Sequence, residues 1–300
     1  MKALFNSFLL LILSVTVLGQ QDPQSHYGQI KKIDGFKSAY VDARNIYIWL
    51  PSNYTPAKKY AVLYMHDGQM LFDSTTTWNK QEWMADETAA RLIDDGKTKE
   101  FIIVGVSNND KYRHSEYFPQ KVAEALPSPL RDTLYQKALM GMPRSNNYLK
   151  FLVEELKPYI DKNFSTLPDR DNTFIAGSSM GGLISLYAIC EYPKVFGGAA
   201  CLSTHWIGNF DLYQDVIPKA FVTYVDKNLP DPKTHRLYFD HGDKTLDQFY
   251  KPHQLEIDKV LYKHQYNKSN LITLFFPGTN HSEKAWQQRL HIPFTFLLAR

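Results

Sequence analysis

Cysteine is nearly missing from this chain: Cys190 and Cys201 are the only two in 300 residues. That excludes a disulfide-framework protein and any cysteine-based zinc pattern. Both lie in apolar runs, which reads as two buried free thiols. An excess of one charge is also missing. Thirty-four Lys and Arg face 31 Asp and Glu, a net charge of +3, too mild to argue for a nucleic-acid partner. The 15 Gly and 16 Pro are scattered rather than clustered, so neither a collagen-like nor a disordered chain fits. There is no Walker loop, no dinucleotide fingerprint and no His-Glu-x-x-His spacing, so neither a cofactor nor a metal is expected. What remains is ordinary globular material, 44% hydrophobic and 22% charged, long enough for one large α/β domain. Aromatic residues are plentiful, which suits an aromatic core or stacking surfaces.

The N-terminus reads differently from the rest. Lys2 gives a short basic start, and Ala3 to Leu18 is almost wholly apolar, with Leu9, Leu10, Leu11, Ile12 and Leu13 at its centre. The run is short for a membrane span, and small and polar residues follow at Gly19, Gln20 and Gln21. This is the pattern of a secretory signal peptide over 1–19. It predicts a secreted or periplasmic mature protein, 20–300, with no membrane span once the signal is cut. No Cys lies near the cut, which argues against a lipoprotein signal.

Along the mature chain, apolar runs alternate with amphipathic stretches. Strands are expected at 45–50, 61–65, 101–106, 173–176, 199–202, 237–239 and 271–276. Helices are expected at 83–92, 148–160, 180–191, 247–263 and 282–298. Continuous β-branched and aromatic runs suit strands buried on both faces. The alternation predicts an α/β fold with a mostly parallel central sheet and helices on both faces. The polar, Pro-dotted stretch 108–147 reads as an insertion covering one end of the sheet.

Chemistry enters at Gly177-Ser178-Ser179-Met180-Gly181-Gly182. It contains G-x-S-x-G centred on Ser179, with a buried strand running in and a small-residue helix running out. Gly177 and Gly181 are expected to relieve clashes in the tight turn, and Ser178 to face away from it. The helix beginning at Met180 aims its free N–H groups at the same point. A serine nucleophile needs a base, and His281 follows the last strand after the Pro277-Gly278 break. The third member should lie between them in the chain. The loop after the 237–239 strand offers Asp240, Asp243 and Asp247. Asp243 sits at a turn tip and is expected to face water. Asp247 follows Leu246, which would anchor the loop in apolar surroundings, so Asp247 is favoured and Asp243 is the alternative acid.

For the oxyanion, the N–H of Met180 should be joined by one from the loop after the second strand, His66-Asp67-Gly68-Gln69, with Gln69 the expected donor. Trp206 follows another strand end and reads as a pocket wall. Arg113 and Tyr117 follow the 101–106 strand and read as substrate contacts, although a salt bridge between Arg113 and Glu116 explains that segment equally well.

These stretches together resemble the esterase branch of the α/β-hydrolases, which includes esterase D, feruloyl esterases, enterochelin esterases and mycolyltransferases. The resemblance runs from about Asn45 to the C-terminus. It is carried by YMHDGQMLFD (Tyr64 to Asp73), EWMADE (Glu82 to Glu87), NNDKYRHSEYFP (Asn108 to Pro119), GSSMGG (Gly177 to Gly182), EYPKVFG (Glu191 to Gly197) and GTNHSEKAWQQRL (Gly278 to Leu290). It implies an α/β-hydrolase fold and cofactor-free hydrolysis of carboxylic esters by Ser179 and His281. The family's acid often follows a G-x-x-D pattern, and Gly242 is followed at that spacing by Thr245, so the resemblance does not choose the acid. Export and the aromatic loops favour feruloyl or acetyl esters of polysaccharide. A catecholate siderophore ester, acyl transfer to a sugar, and a non-catalytic binding module on the same fold are the alternatives.

Overall fold

The computed structural model describes residues 22–212 and 215–300. The expected signal peptide lies outside the described residues. Eight strands form one sheet: β1 (Gln29–Phe36), β2 (Arg44–Leu50), β3 (Ala61–His66), β4 (Phe101–Val106), β5 (Thr173–Ser178), β6 (Gly198–Leu202), β7 (Arg236–His241) and β8 (Leu271–Phe275). Their order is β1-β2-β4-β3-β5-β6-β7-β8. The pairs β1–β2 and β2–β4 are antiparallel, and every pair from β4 to β8 is parallel.

Helices cover both faces of the sheet: α1 (Ala85–Asp94), α2 (Arg113–Tyr117), α3 (Gln120–Glu124), α4 (Ser128–Lys137), α5 (Ser145–Lys150), α6 (Lys157–Asn163), α7 (Met180–Glu191), α8 (Val216–Asn228), α9 (Lys251–Lys263), α10 (Glu283–Arg289) and α11 (His291–Leu297). Alternation along the strands divides the core. Ile46, Ile48, Val62, Tyr64 and Ile175 face the layer that holds α7, α8 and α9. Tyr47, Trp49, Leu63, Met65 and Phe174 face the layer that holds α1 and α11. Strands apolar on both faces are what a sheet sandwiched between helices requires.

The sequence misses four features. β1 is an edge strand whose side chains are mostly exposed or half-buried, so its apolar signal is diluted by Lys31, Lys32 and Asp34. α8 reads locally as a β-branched run containing Pro218. Its helical face becomes apparent from the buried set Ile217, Phe221, Tyr224 and Val225, spaced at helical intervals. The polar stretch 108–147, in which no helix was expected, carries α2, α3, α4 and the start of α5. The expected 148–160 helix is interrupted by a π-helical segment, Phe151–Leu156, between α5 and α6.

Parallel strands have all their carboxyl ends on one side. β3, β4, β5, β6, β7 and β8 therefore deliver the residues that follow them to a common edge of the sheet.

Candidate active site

β5 ends in a sharp turn into α7, and Ser179 sits on it at φ 57°, ψ −120°. That backbone is strained for a side-chain-bearing residue and holds the hydroxyl clear of the sheet. A Cβ on Gly177 would lie 2.8 Å from the Gly181 carbonyl carbon, so only glycine fits there. Gly181 is different: a Cβ on it would meet His66 Cβ at 3.4 Å and Asp67 Oδ2 at 3.5 Å, ordinary contacts. The clash expected at both glycines resides at Gly177, and Gly181 supplies the atoms it would strike.

His281 lies after β8, before Ser282, whose side chain caps α10 by accepting from Ala285 N. Its backbone N–H donates to Thr245 Oγ1 at 2.9 Å. Its ring lies edge-on to Trp286, 4.9 Å between centroids. Nδ1 stands 2.6 Å from Asp247 Oδ1. The other carboxylate oxygen of Asp247 accepts from Ser203 Oγ at 2.7 Å and from Gly242 N at 2.6 Å. Burial pushes the Asp247 carboxyl up, but the hydrogen bond and charge of His281, with Ser203 and Gly242, hold it below its ordinary value.

The other two candidate acids are engaged elsewhere. Asp243 accepts from Gly278 N at 2.8 Å and so ties its turn to the loop that carries His281. Asp240 is buried against Arg289, 2.8 Å from its guanidinium. The anchor expected of Leu246 is absent: that side chain is 38% exposed and lies on the cavity wall. Asp247 is fixed by its hydrogen bonds instead.

Ser179 and His281 line one cavity of about 690 Å³. Asp67, Gln69, Arg113 and His205 share its wall, Trp78 and Phe210 stand exposed at it, and Ser178 contributes to it rather than facing away. Met180 opens α7, so its N–H has no carbonyl partner within the helix. Gln69 sits in a tight turn after β3 because Gly68 presses on β4, where a Cβ would lie 2.4 Å from the Gly105 carbonyl carbon. The Gln69 side chain accepts from Asn108 N at 3.2 Å.

Arg113 reaches the cavity, but its guanidinium grips Asp67 with two bonds, 2.7 and 2.8 Å. Asn108 donates to the same carboxylate at 2.6 Å. Asp67 is therefore held below its ordinary pKa by Arg113 and Asn108, against the upward push of burial. Glu116 does not meet Arg113; it pairs with Arg44 at 2.7 Å in the core. Two expected substrate contacts do not reach the cavity. Trp206 is 1% exposed, donates from Nε1 to Gln254 Oε1 at 2.9 Å, and packs on Phe221 and Phe239. It points into the helix layer because its neighbour His205 takes the cavity side. Tyr117 is fully buried against His66 and Tyr148, and its hydroxyl accepts from Asp67 N.

Several residues here were invisible in the sequence. Ser203 Oγ accepts from Trp286 Nε1 and from Arg289, both at 2.9 Å, while donating to Asp247. Tyr250 lies between His205 and His281. The one local signal was that Ser203 and His205 follow the end of a strand, as Ser179 does.

The sequence profile of the family described as "Putative esterase" matches residues 38–292. The chain belongs to that esterase family. An endo-1,4-beta-xylanase/feruloyl esterase of Xylanibacter ruminicola is 27% identical over 228 residues, 73% of this chain and 25% of that protein. The chain thus spans a quarter of that relative's length. Among solved structures, a ferulic acid esterase superposes with a TM-score of 0.65 at 20% identity, covering 90% of this chain and 98% of the other. The enterobactin esterase of Shigella flexneri superposes with a TM-score of 0.63 at 16% identity, covering 92% and 61%. These likenesses establish the α/β-hydrolase type of fold, with its mostly parallel sheet. No helix among the described residues is long and apolar enough to cross a membrane.

Proposed function

We propose that the protein is an exported serine esterase that hydrolyses carboxylic esters through Ser179, His281 and Asp247. The observation that carries this is the 2.6 Å contact of His281 Nδ1 with buried Asp247, in the cavity that Ser179 also lines. Ser179 Oγ attacks the ester carbonyl while His281 takes its proton. Asp247 holds the imidazole in the tautomer with Nδ1 protonated and stabilises the imidazolium that forms. The N–H groups of Met180 and Gln69 receive the oxyanion. His281 then protonates the leaving alcohol, and water activated by the same histidine releases the acid.

The substrate class we infer is feruloyl or acetyl esters of polysaccharide. Exposed Trp78 and Phe210 at the cavity support a flat or sugar-bearing ligand. An anionic catecholate would call for free cationic groups, and the Arg113 charge is already neutralised by Asp67. Export rests on the N-terminal apolar run. Capture of Ser179 by a fluorophosphonate probe, followed by turnover of methyl ferulate, 4-nitrophenyl acetate and a triscatecholate lactone, tests the reading. Labelling without turnover of any ester would overturn hydrolysis, and absence of labelling would leave the fold as a binding module.

A further inference from the structure

A second cavity, of about 520 Å³, adjoins the catalytic one and lies against the loop that carries His281, with Gly278, Thr279 and Asn280 in its wall. Gln81 and Ser282 line both cavities. Each is half-buried, so the two form a rim between the cavities rather than a sealed wall. The rim and its surroundings are tied together. Gln81 Oε1 accepts from Lys284 N at 3.3 Å, and Lys244 N donates to Thr279 O at 3.0 Å.

The two cavities differ in charge. The catalytic cavity holds Asp67, Asp110 and Glu283, no lysine and a single arginine, Arg113, whose charge Asp67 takes up. An anion is disfavoured there. The second cavity has two lysines, Lys244 and Lys284, and neither a carboxylate nor an aromatic ring in its lining. Lys284 is exposed and meets no carboxylate among the described residues. Lys244 lies 3.7 Å from Asp243, a carboxylate that also accepts from Gly278 N, so its charge is offset only in part.

The proposed chemistry says which end of a substrate meets these lysines. His281 must protonate the leaving alcohol, so the alcohol departs on the His281 side. The remainder of a long alcohol then runs past the His281 loop, over Gln81 and Ser282, toward Lys244 and Lys284. We propose that the second cavity binds an anionic sugar on the alcohol side of the ester. The substrate class is therefore acyl esters of acidic polysaccharide, the anion being a sugar carboxylate or a sugar sulfate. The amide and hydroxyl groups of Gln81, Asn280 and Thr279 suit sugar hydroxyls, and the lysines supply the charge that the catalytic cavity lacks. This inference rests on the esterase reading above and narrows its substrate.

The test uses trigalacturonate carrying one acetyl or one feruloyl ester, compared with the same chain in which each carboxylate is a primary amide. The trisaccharide presents its carboxylates at several spacings from the ester. A third arm carries sulfate on a neutral trigalactose of the same length. In the wild type the KM of at least one anionic chain should be about fivefold below that of the amide, the scale of partly exposed ion pairs. The kcat should stay alike, because a remote charge is bound equally in ground and transition states. The ratio should shrink toward one at high salt. It should fall to about one in the double variant Lys244→Gln, Lys284→Gln, and invert in Lys244→Glu, Lys284→Glu. Preference for the carboxylate or for the sulfate supports the site and names its anion. A wild-type ratio near one for both anions, a preference confined to kcat, a ratio that survives in the double Gln variant, or no turnover of any sugar ester would overturn the proposal. Methyl ferulate and 4-nitrophenyl acetate, run in parallel, separate the two failures. Their turnover with a ratio near one for the sugars removes this inference alone, and their absence removes the esterase reading and this inference with it.

Discussion

Asp243 and Gly278 are joined by a 2.8 Å hydrogen bond from the Gly278 N–H to the Asp243 carboxylate, so an aspartate that does not touch His281 still holds the loop that carries it. This separates the roles of two acids in one short loop. Asp247→Asn should lower kcat by about 10³–10⁴, because an amide no longer fixes the imidazole tautomer. Asp243→Asn should cost less than about tenfold in kcat, because an amide oxygen can still accept from Gly278. Steady-state kinetics of the two variants check this, and the reverse ranking would move the acid to Asp243.

Ser179→Ala should abolish ester turnover while leaving the melting temperature close to wild type. The alanine keeps the turn, although a positive φ remains unfavourable for any side-chain-bearing residue. Turnover and thermal melting measured on the same preparation check both halves. Activity that disappears on replacing Ser178 instead would reassign the nucleophile.

Ser203→Ala removes the hydroxyl shared by Asp247, Trp286 and Arg289. Leaving buried polar groups unpaired costs about 1–3 kcal/mol of stability. Asp247 also loses one of its fixed donors, so kcat should fall as well. Denaturant unfolding and kinetics of the variant measure the two effects. A fall in stability with kcat unchanged would confine Ser203 to packing.

Trp206→Ala should destabilise the protein by about 3–5 kcal/mol, as a fully buried indole is lost from the core. Aromatic and acetyl esters should suffer equally. Trp78 is 83% exposed, and Trp78→Ala should leave stability almost unchanged while weakening aromatic esters more than acetyl esters. Comparing KM for methyl ferulate and 4-nitrophenyl acetate in the two variants distinguishes pocket from core.

Asp86 at the start of α1 is buried and accepts from Ser25 Oγ at 2.5 Å. Burial, together with its hydrogen bond and charge repulsion with Glu87, pushes its pKa up to about 8. The folded state thus holds a proton that the unfolded chain has lost above its ordinary carboxyl pKa. Stability from this group is full at acid pH, declines as pH rises toward 8, and is flat above that. Asp86→Asn should remove that decline and raise the melting temperature at pH 8–9 relative to wild type. Melting curves between pH 5 and 9 check the sign, and an unchanged slope would refute it.

The candidate site was legible where its motif is made of consecutive residues. Ser179 could be read because strand, glycine turn and helix adjoin in the chain, and their geometry is dictated locally by the steric limit at Gly177. His281 could be read because a strand break leaves few places for the residue that follows. Asp247 was favoured for a reason the fold does not supply, since Leu246 is exposed and the carboxylate is held by Ser203, Gly242 and His281.

The sequence by itself determined the alternation of buried strands and helices, the parallel sheet and the serine turn, because each is encoded in side chains adjacent along the chain. Only the tertiary structure decided that Arg113 pairs with Asp67 and Glu116 with Arg44. Only it decided that His205 rather than Trp206 faces the cavity, and that Tyr250 packs against both His205 and His281. Those pairings depend on strand order and on which face of the sheet each side chain leaves. Residues up to 86 positions apart, as Ser203 and Arg289 are, carry no local trace of each other until the sheet brings their strand ends to one edge.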